Sequence, residues 1–154
     1  MQSAIWGLVL GLLLSFANVH AQRPDASVLR TMLLDRDPEI RVKAAEGLGR
    51  VGGRQAVIIL RQGLSDGNTS VRIAIVEALG FIGGGLAMTV LSESLKDNNP
   101  EVRIRAVEAL KDAGTVNSIP ILQKAFGDKS ESVRLHAALM LRKIGHRRGV
   151  PVLG

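Results

Sequence analysis

The chain has 154 residues, of which 46% are hydrophobic, so it is long and apolar enough for one domain with a continuous core. It contains no cysteine, which excludes a disulfide framework, a thiolate metal site and lipid attachment through cysteine. The formal net charge is +6, and every Lys, Arg, Asp and Glu lies after residue 21. A basic excess favours an acidic protein, an anionic lipid surface or nucleic acid as a partner, but it also keeps an elongated fold in solution.

The first 21 residues have the features of a secretory signal peptide. Residues 4–17 are an apolar run, shorter than the roughly 20 residues that a bilayer span needs. Residues 19–21 then form a small-x-small cleavage pattern before Gln22. We predict an exported chain, periplasmic or extracellular, that contacts the membrane only through this leader. Because Met1 to Ser3 contain no Lys or Arg, an uncleaved N-terminal membrane anchor is the alternative.

The rest of the chain is built from a repeated unit. Three residue types recur at a spacing of 31 residues: Asp35, Asp66, Asp97 and Asp128; Arg41, Arg72, Arg103 and Arg134; Gly52, Gly83, Gly114 and Gly145. A unit of this length cannot bury its apolar face alone and stacks on the next unit, as in a solenoid. We place one domain at residues 22–154, with repeats at about 24–52, 55–83, 86–114 and 117–145 and a truncated fifth repeat at 148–154.

Each unit predicts two helices joined by a short turn. The second helices follow N-cap residues (Asp37, Asn68, Asn99 and Ser130) and are predicted over about 38–51, 69–82, 100–113 and 131–144. Each should stop at the repeated glycine, which adopts the left-handed C′ conformation at little cost. The first helices are predicted over about 24–34, 55–64, 86–95 and 117–126. Phe126 occupies the position of Leu33 in the first unit, so we expect it in the core.

The pattern Asp-x-Asn/Asp-Pro-Glu-Val-Arg-x-x-Ala-x-x-Ala-Leu-x-x-x-Gly resembles the short HEAT repeat, the type named after phycobilisome lyases. The resemblance covers residues 24–145. It implies an all-α, right-handed α-solenoid of about four helix–turn–helix repeats. It also implies protein–protein scaffolding and, in one branch of the family, attachment of bilin chromophores. The predicted export signal argues against that branch.

The polar pattern does not indicate catalysis. A row of four aspartates could serve a metal ion or acid–base chemistry, but a bond repeated in every unit is what a structural role requires. Each Asp lies at a predicted turn, within reach of backbone N–H groups or of the repeated Arg. The three histidines lack metal-ligand spacing, and residues 83–85 lack the Lys-Ser/Thr of a phosphate loop. We therefore predict a protein that is not an enzyme and uses no cofactor or metal.

The outward face of the second helices is the candidate binding surface. In the first and third units its positions are charged, as at Arg50 and Asp112. In the second unit the equivalent position is Phe81, a candidate anchor for a partner, with local packing over residues 83–85 as the alternative. The predicted partner-binding residues are Phe81, Glu77, Ala74, Ser70, Lys43, Glu46, Arg50, Arg105 and Glu108.

We predict an exported, non-enzymatic scaffold that binds another protein, favoured by the net charge to be acidic, along this surface. Two other functions stay open: a structural subunit that stacks head to tail through unsealed ends, and an accessory subunit of a bilin-chromophore lyase. The basic residues near the C-terminal end, Arg142, Lys143, His146, Arg147 and Arg148, could contact nucleic acid. We do not expect nucleic acid, because exposed aromatic residues for base stacking and a recognition motif are both lacking.

Overall fold

The computed structural model describes residues 25–112 and 116–148. The predicted signal peptide and the predicted fifth repeat beyond residue 148 lie outside the described residues. Within those ranges the chain forms eight α-helices: α1 (Ala26–Met32), α2 (Pro38–Val51), α3 (Gly53–Gln62), α4 (Thr69–Ile82), α5 (Gly84–Ser94), α6 (Pro100–Asp112), α7 (Ile119–Lys124) and α8 (Glu131–Arg148). Three short 3-10 turns connect or extend them, at Gly63–Ser65, Val116–Ser118 and Ala125–Gly127. The described ranges contain no β-strand, which confirms the all-α prediction.

The long helices begin where the capping residues predict. The side-chain oxygen of Asp37 accepts a hydrogen bond from the backbone N–H of Glu39 at 2.8 Å. Asn68 does the same for the N–H of Ser70, also at 2.8 Å. Each cap satisfies a backbone donor that the first helical turn would otherwise leave without a partner. The predicted starts of all four second helices are confirmed.

Paired glycines end α2 and α4. Gly52-Gly53 have φ angles of 69° and 77°, and Gly83-Gly84 have 66° and 80°. Only glycine adopts such angles cheaply, so each pair lets the chain reverse directly into the next helix. The prediction that Gly145 also ends its helix is wrong, because α8 continues to Arg148. A second glycine, as at Gly53 and Gly84, is missing after Gly145, so the same chain reversal would be costly there.

The helices form two layers. The second helices of the pairs, α2, α4, α6 and α8, each pack against the next, and α1, α3, α5 and α7 pack against the second helix of their own pair. The core lies between the layers, and its largest fully buried side chains are Leu29, Leu48, Leu60, Ile75, Leu79, Leu91, Leu110, Leu122, Leu141, Val71, Val76 and Val90. Aliphatic side chains therefore fill the core, and the all-α solenoid architecture is as predicted. The right hand of its superhelix stays a prediction.

Phe126 is not a core residue, contrary to expectation. It lies in the 3-10 turn after α7 and is 37% exposed, whereas Leu33 at the same repeat position is 7% exposed. Leu33 is covered by the following pair, since its Cδ2 atom would lie 3.4 Å from a Cβ on Gly63. Phe126 belongs to the last described pair. Its exposure therefore follows from its place in the stack.

The repeated Asp and Arg residues bond neighbouring pairs to each other. Arg41 donates from Nε and Nη2 to the Asp66 carboxylate at 2.7 and 2.9 Å. Its Nη1 donates to the backbone oxygen of Asp35, in its own unit, at 2.8 Å. The pairs Arg72–Asp97 and Arg103–Asp128 repeat this arrangement, with Nε–Oδ2 distances of 2.8 Å. We call this series of bonds the ladder. Each rung joins an arginine to the aspartate 25 residues later.

Candidate functional site

The nine predicted binding residues lie on α2, α4 and α6, whose outward face we call the ridge. Phe81, one residue before the end of α4, is 77% exposed. The alternative interpretation, that its ring packs over residues 83–85, is inconsistent with this exposure. An aromatic side chain that the fold does not cover is available for contact with another molecule.

Two open grooves flank Phe81. The first lies between α2 and α4, has a volume of about 310 Å³ and is lined by Glu46, Gly49, Arg50, Ala74, Glu77, Ala78 and Phe81. The second lies between α4 and α6, has a volume of about 410 Å³ and is lined by Glu77, Gly80, Phe81, Arg105, Glu108 and Ala109. Phe81 and Glu77 belong to both grooves, so they form the wall that separates them.

Small residues form the floor of the grooves, because neighbouring second helices approach closely there. A Cβ on Gly49 would lie 3.1 Å from Cβ of Ala78, and a Cβ on Gly80 would lie 2.7 Å from Cβ of Ala109. The helices thus meet over glycine and alanine, while longer side chains rise on both sides. This spacing is what gives the ridge its depressions.

The structure brings seven of the nine predicted residues to the groove walls and floor. Lys43 and Ser70 are exposed on the same helices but line neither groove. The expectation that Ala74 faces solvent is wrong, because its side chain is 7% exposed. Its repeat position is held elsewhere by Lys43 and Arg105, whose long side chains reach water, whereas a methyl group at that depth does not.

Arg105 organises the charges beside the second groove. Its Nε atom lies 3.1 Å from Glu101 and 3.8 Å from Glu77, and its Nη1 atom lies 3.4 Å from Glu108. These side chains are between 36% and 57% exposed, so water screens the ion pairs and they add little stability. The groove walls carry the carboxylates of Glu46, Glu77 and Glu108 and the guanidinium groups of Arg50 and Arg105. The ridge is therefore not basic, although the whole chain is.

Sequence reasoning missed one residue of this surface. The Nε2 atom of His136, on α8, lies 3.7 Å from the carboxylate of Glu108, and its Nδ1 atom lies 2.8 Å from the backbone oxygen of Ser132. His136 follows Arg105 by one repeat, so the period itself was the signal that could have found it. The ridge thus extends onto the fourth second helix.

A third groove, of about 420 Å³, lies between α5 and the turn after α7. Two of its acidic side chains already have partners. Glu93 lies 2.9 Å from Nη2 of Arg61, and Asp128 lies 2.8 Å from Nε of Arg103. Polar groups that bond neighbouring helix pairs to each other stabilise the stack, so this groove is a weaker candidate for a binding site than the ridge.

Residues 25–112 and 116–148 contain no group of three or more His, Asp or Glu side chains placed to hold a metal ion. Among the same residues, no helix combines the length and the apolar character needed to cross a membrane.

A double layer of stacked helix pairs joined by a repeated ion pair defines the chain as an α-solenoid protein. The family model for HEAT repeats matches residues 26–111 and 88–154. The chain belongs to the HEAT-repeat family, which confirms the resemblance found in its sequence.

Solved structures with the same fold include an enzyme and a lyase complex. Human deoxyhypusine hydroxylase in complex with glycerol is 29% identical, with a TM-score of 0.71, over 82% of this chain and 45% of that chain. The complex of CpcE and CpcF of phycocyanin lyase from Nostoc sp. PCC7120 is 23% identical, with a TM-score of 0.59, over 79% of this chain and 53% of that chain. An engineered protein is 22% identical, with a TM-score of 0.51, over 79% of this chain and 62% of that chain.

The chain thus spans about half the length of the first two of these structures. The likenesses at 23% and 22% identity are likenesses of fold. The search of curated proteins gave no match.

Proposed function

We propose that the protein is an exported, non-enzymatic scaffold that binds another protein at the ridge, with Phe81 as the anchor. The supporting observation is that Phe81 is 77% exposed between two grooves, at a repeat position held by Arg50 and Lys143 in other units. Aromatic side chains beside small pockets carry much of the binding free energy in protein interfaces. The proposal of export rests on the leader pattern of residues 1–21.

The charges of the ridge suggest the chemistry of the partner segment. An apolar side chain would enter a groove beside Phe81, and a basic group would lie near Glu46 and Glu77. Glu46 has no ion pair among the described residues, so its carboxylate is available to such a group. An acidic partner, which the net charge of +6 favours, would have to bind away from these carboxylates.

The family and the contacts of the polar residues support binding rather than catalysis. HEAT repeats present extended surfaces to other proteins. Three of the repeated aspartates and three of the repeated arginines are engaged in the ladder. On the ridge, Glu77, Glu101 and Glu108 pair with Arg105. Hydroxylation is the activity named for a protein that is 29% identical and more than twice as long as the matched region, and we do not extend it to this chain. The 23% identity to the lyase complex gives the bilin-lyase alternative no support beyond fold.

Affinity capture with the full chain as bait tests the proposal. Phe81→Glu should abolish recovery of a specific protein, because a charge replaces the apolar anchor. Leu34→Glu is the matched control, since Leu34 is 80% exposed in the turn before α2, away from the ridge, and should leave recovery unchanged. A photo-crosslinking residue at position 81, but not at position 34, should attach to the recovered protein.

The proposal fails if both variants recover the same proteins as the wild type, or if crosslinks form equally from both positions. The exported fraction is the material for the experiment. The mass of the bait recovered from it reports whether the chain begins at Gln22, and a bait found only in the cell interior would contradict export.

A further inference from the structure

The two end faces of the described stack lack the cover that internal pairs receive. At the C-terminal face, Leu135 is 57% exposed, whereas Val42 at the same repeat position is half-buried. Ala138 is also half-buried, although Val107 and Val76, one and two repeats earlier, are completely buried. These positions face the following pair, and in the last described pair they lie open.

At the N-terminal face, the missing cover is that of a preceding pair. Val28 on α1 is 50% exposed, whereas Ile59 and Val90 at the same repeat position are 3% and 2% exposed. Ile40 on α2 is half-buried, while its equivalent Val71 is completely buried. These positions face the preceding pair, which the first described pair lacks. Both faces are therefore apolar cross-sections of the same stack.

The ladder is also incomplete at both ends. The carboxylate of Asp35 accepts a hydrogen bond from the backbone N–H of Asp37 at 2.8 Å, but among the described residues it has no arginine partner. Arg134 donates from Nη1 to the backbone oxygen of Asp128 at 2.8 Å, as the other ladder arginines do in their own units. Within the described ranges Arg134 meets no carboxylate.

We propose that the two end faces bind each other in successive copies of this chain. Arg134 of one copy would pair with Asp35 of a second copy, as Arg103 pairs with Asp128 inside the chain. Leu135 and Phe126 would be covered by Val28 and Ile40 of that second copy. Because the contact joins two different faces, it leaves one of each kind free and builds an open row of copies.

A second copy fits these faces better than an unrelated partner does, because the chain already contains the same contact. Each internal pair presents an arginine and an apolar face forward, and the next pair presents an aspartate and an apolar face backward. The C-terminal face offers the cation and the N-terminal face offers the anion, so the two are complementary in charge. Stacking would place the ridges of successive copies in one line. It involves neither Phe81 nor the grooves, so its test is independent of the test of the proposed scaffold.

Sedimentation velocity of the full chain over a concentration series tests the stacking. The wild type should show a mass that rises steadily with concentration. Arg134→Asp and Asp35→Arg should each weaken association by at least about tenfold, because each brings like charges together. An equimolar mixture of the two variants should restore it, since Asp at 134 then faces Arg at 35. Arg54→Asp, an equal charge change in the exposed part of α3, should have no effect.

Asp35→Arg also removes the hydrogen bond to Asp37, so circular dichroism must first show an unchanged fold. If it does not, Leu135→Asp takes its place, because this exposed side chain can change without disturbing the core, and it should weaken association too. The proposal is overturned if the chain remains a single copy at all concentrations or stops at a closed dimer. It is also overturned if association persists unchanged in the charge variants, which would place the contact elsewhere on the chain.

Discussion

The arginines of the ladder and the residues of the ridge lie on the same helices, but the two sets differ in how they vary between units. Along the ladder the same bond recurs, with Nε–Oδ2 distances of 2.7, 2.8 and 2.8 Å in three successive rungs. Along the ridge one repeat position holds Arg50, then Phe81, and finally Lys143. A contact that every junction needs is kept in each unit, whereas a surface that recognises one partner need not repeat. The comparison separates residues that hold the stack together from residues that are free to specify a function.

Ladder and ridge residues also differ in burial, and therefore in how much they contribute to stability. The side chain of Arg103, in the ladder, is 4% exposed, and that of Arg105, two residues later on the ridge, is 42% exposed. A buried guanidinium is held by bidentate bonds, and removal of one partner leaves the other charge without compensation. An exposed guanidinium that shares several carboxylates contributes about 1 kcal/mol or less. The ridge can therefore change its charges at little cost in stability.

The largest expected effect comes from breaking one rung. Arg103→Ala should lower the free energy of unfolding by about 3 kcal/mol, because the Asp128 carboxylate and two backbone oxygens lose their donor. Arg105→Ala is the matched control on the same helix and should cost less than about 1 kcal/mol. Urea unfolding followed by circular dichroism measures both values. Equal losses in the two variants would remove the distinction between ladder and ridge.

The period and the capping residues were sufficient to predict the helices. The repeated Asp, Arg and Gly gave the number of units, and residues such as Asp37 and Asn68 gave the starts of the second helices. These features are local, since an N-cap acts within one turn. The same reasoning predicted that Phe81 points outward, because a helical face follows directly from residue spacing.

Features that depend on stacking could not be predicted in this way. An arginine lies 6 residues after one ladder aspartate and 25 residues before the next, and only the packing of the pairs decides which carboxylate it binds. The burial of Ala74 and the exposure of Phe126 likewise depend on neighbouring units. The continuation of α8 past Gly145 depends on the residue that follows the glycine. Comparison of Gly145 with Gly52 and Gly83, each of which is followed by a second glycine, could have predicted this continuation.

The close approach of second helices offers a smaller perturbation of the stack. Gly80→Ala should cost about 2 kcal/mol, because its Cβ would lie 2.7 Å from Cβ of Ala109 and the helices must separate. Gly49→Ala should cost less, since the corresponding distance is 3.1 Å. Gly67→Ala, where a new Cβ meets nothing within 4 Å, is the control and should be close to neutral. Thermal unfolding ranks the three variants, and a Gly80→Ala protein as stable as the control would contradict the close packing.

The smallest expected effect is on the pH dependence of stability: acid should weaken the ladder more than the ridge. Hydrogen bonds from Arg103 hold the pKa of Asp128 below its ordinary value, although burial opposes this shift. In Asp66 burial, the largest single influence, favours a higher pKa, but the hydrogen bonds from Arg41 and from the backbone of Asn68, together with the charges of Arg41 and Arg72, outweigh it and the pKa is again lowered. A carboxylate whose pKa is lower in the folded than in the unfolded chain stabilises the fold above its unfolded pKa, which is roughly 4. That contribution is lost as the pH falls through the folded pKa.

The free energy of unfolding should therefore be constant from neutral pH to about pH 5 and decline below about pH 4. Asp128→Asn should make the decline shallower, because the folded state no longer loses that carboxylate–guanidinium pair on protonation. Glu101→Gln changes a carboxylate of the ridge that is 49% exposed, so it should leave the slope nearly as in the wild type. Urea unfolding at a series of pH values measures the slopes. If Glu101→Gln flattened the decline as much as Asp128→Asn, acid sensitivity would belong to the surface as a whole and not to the bonds between repeats.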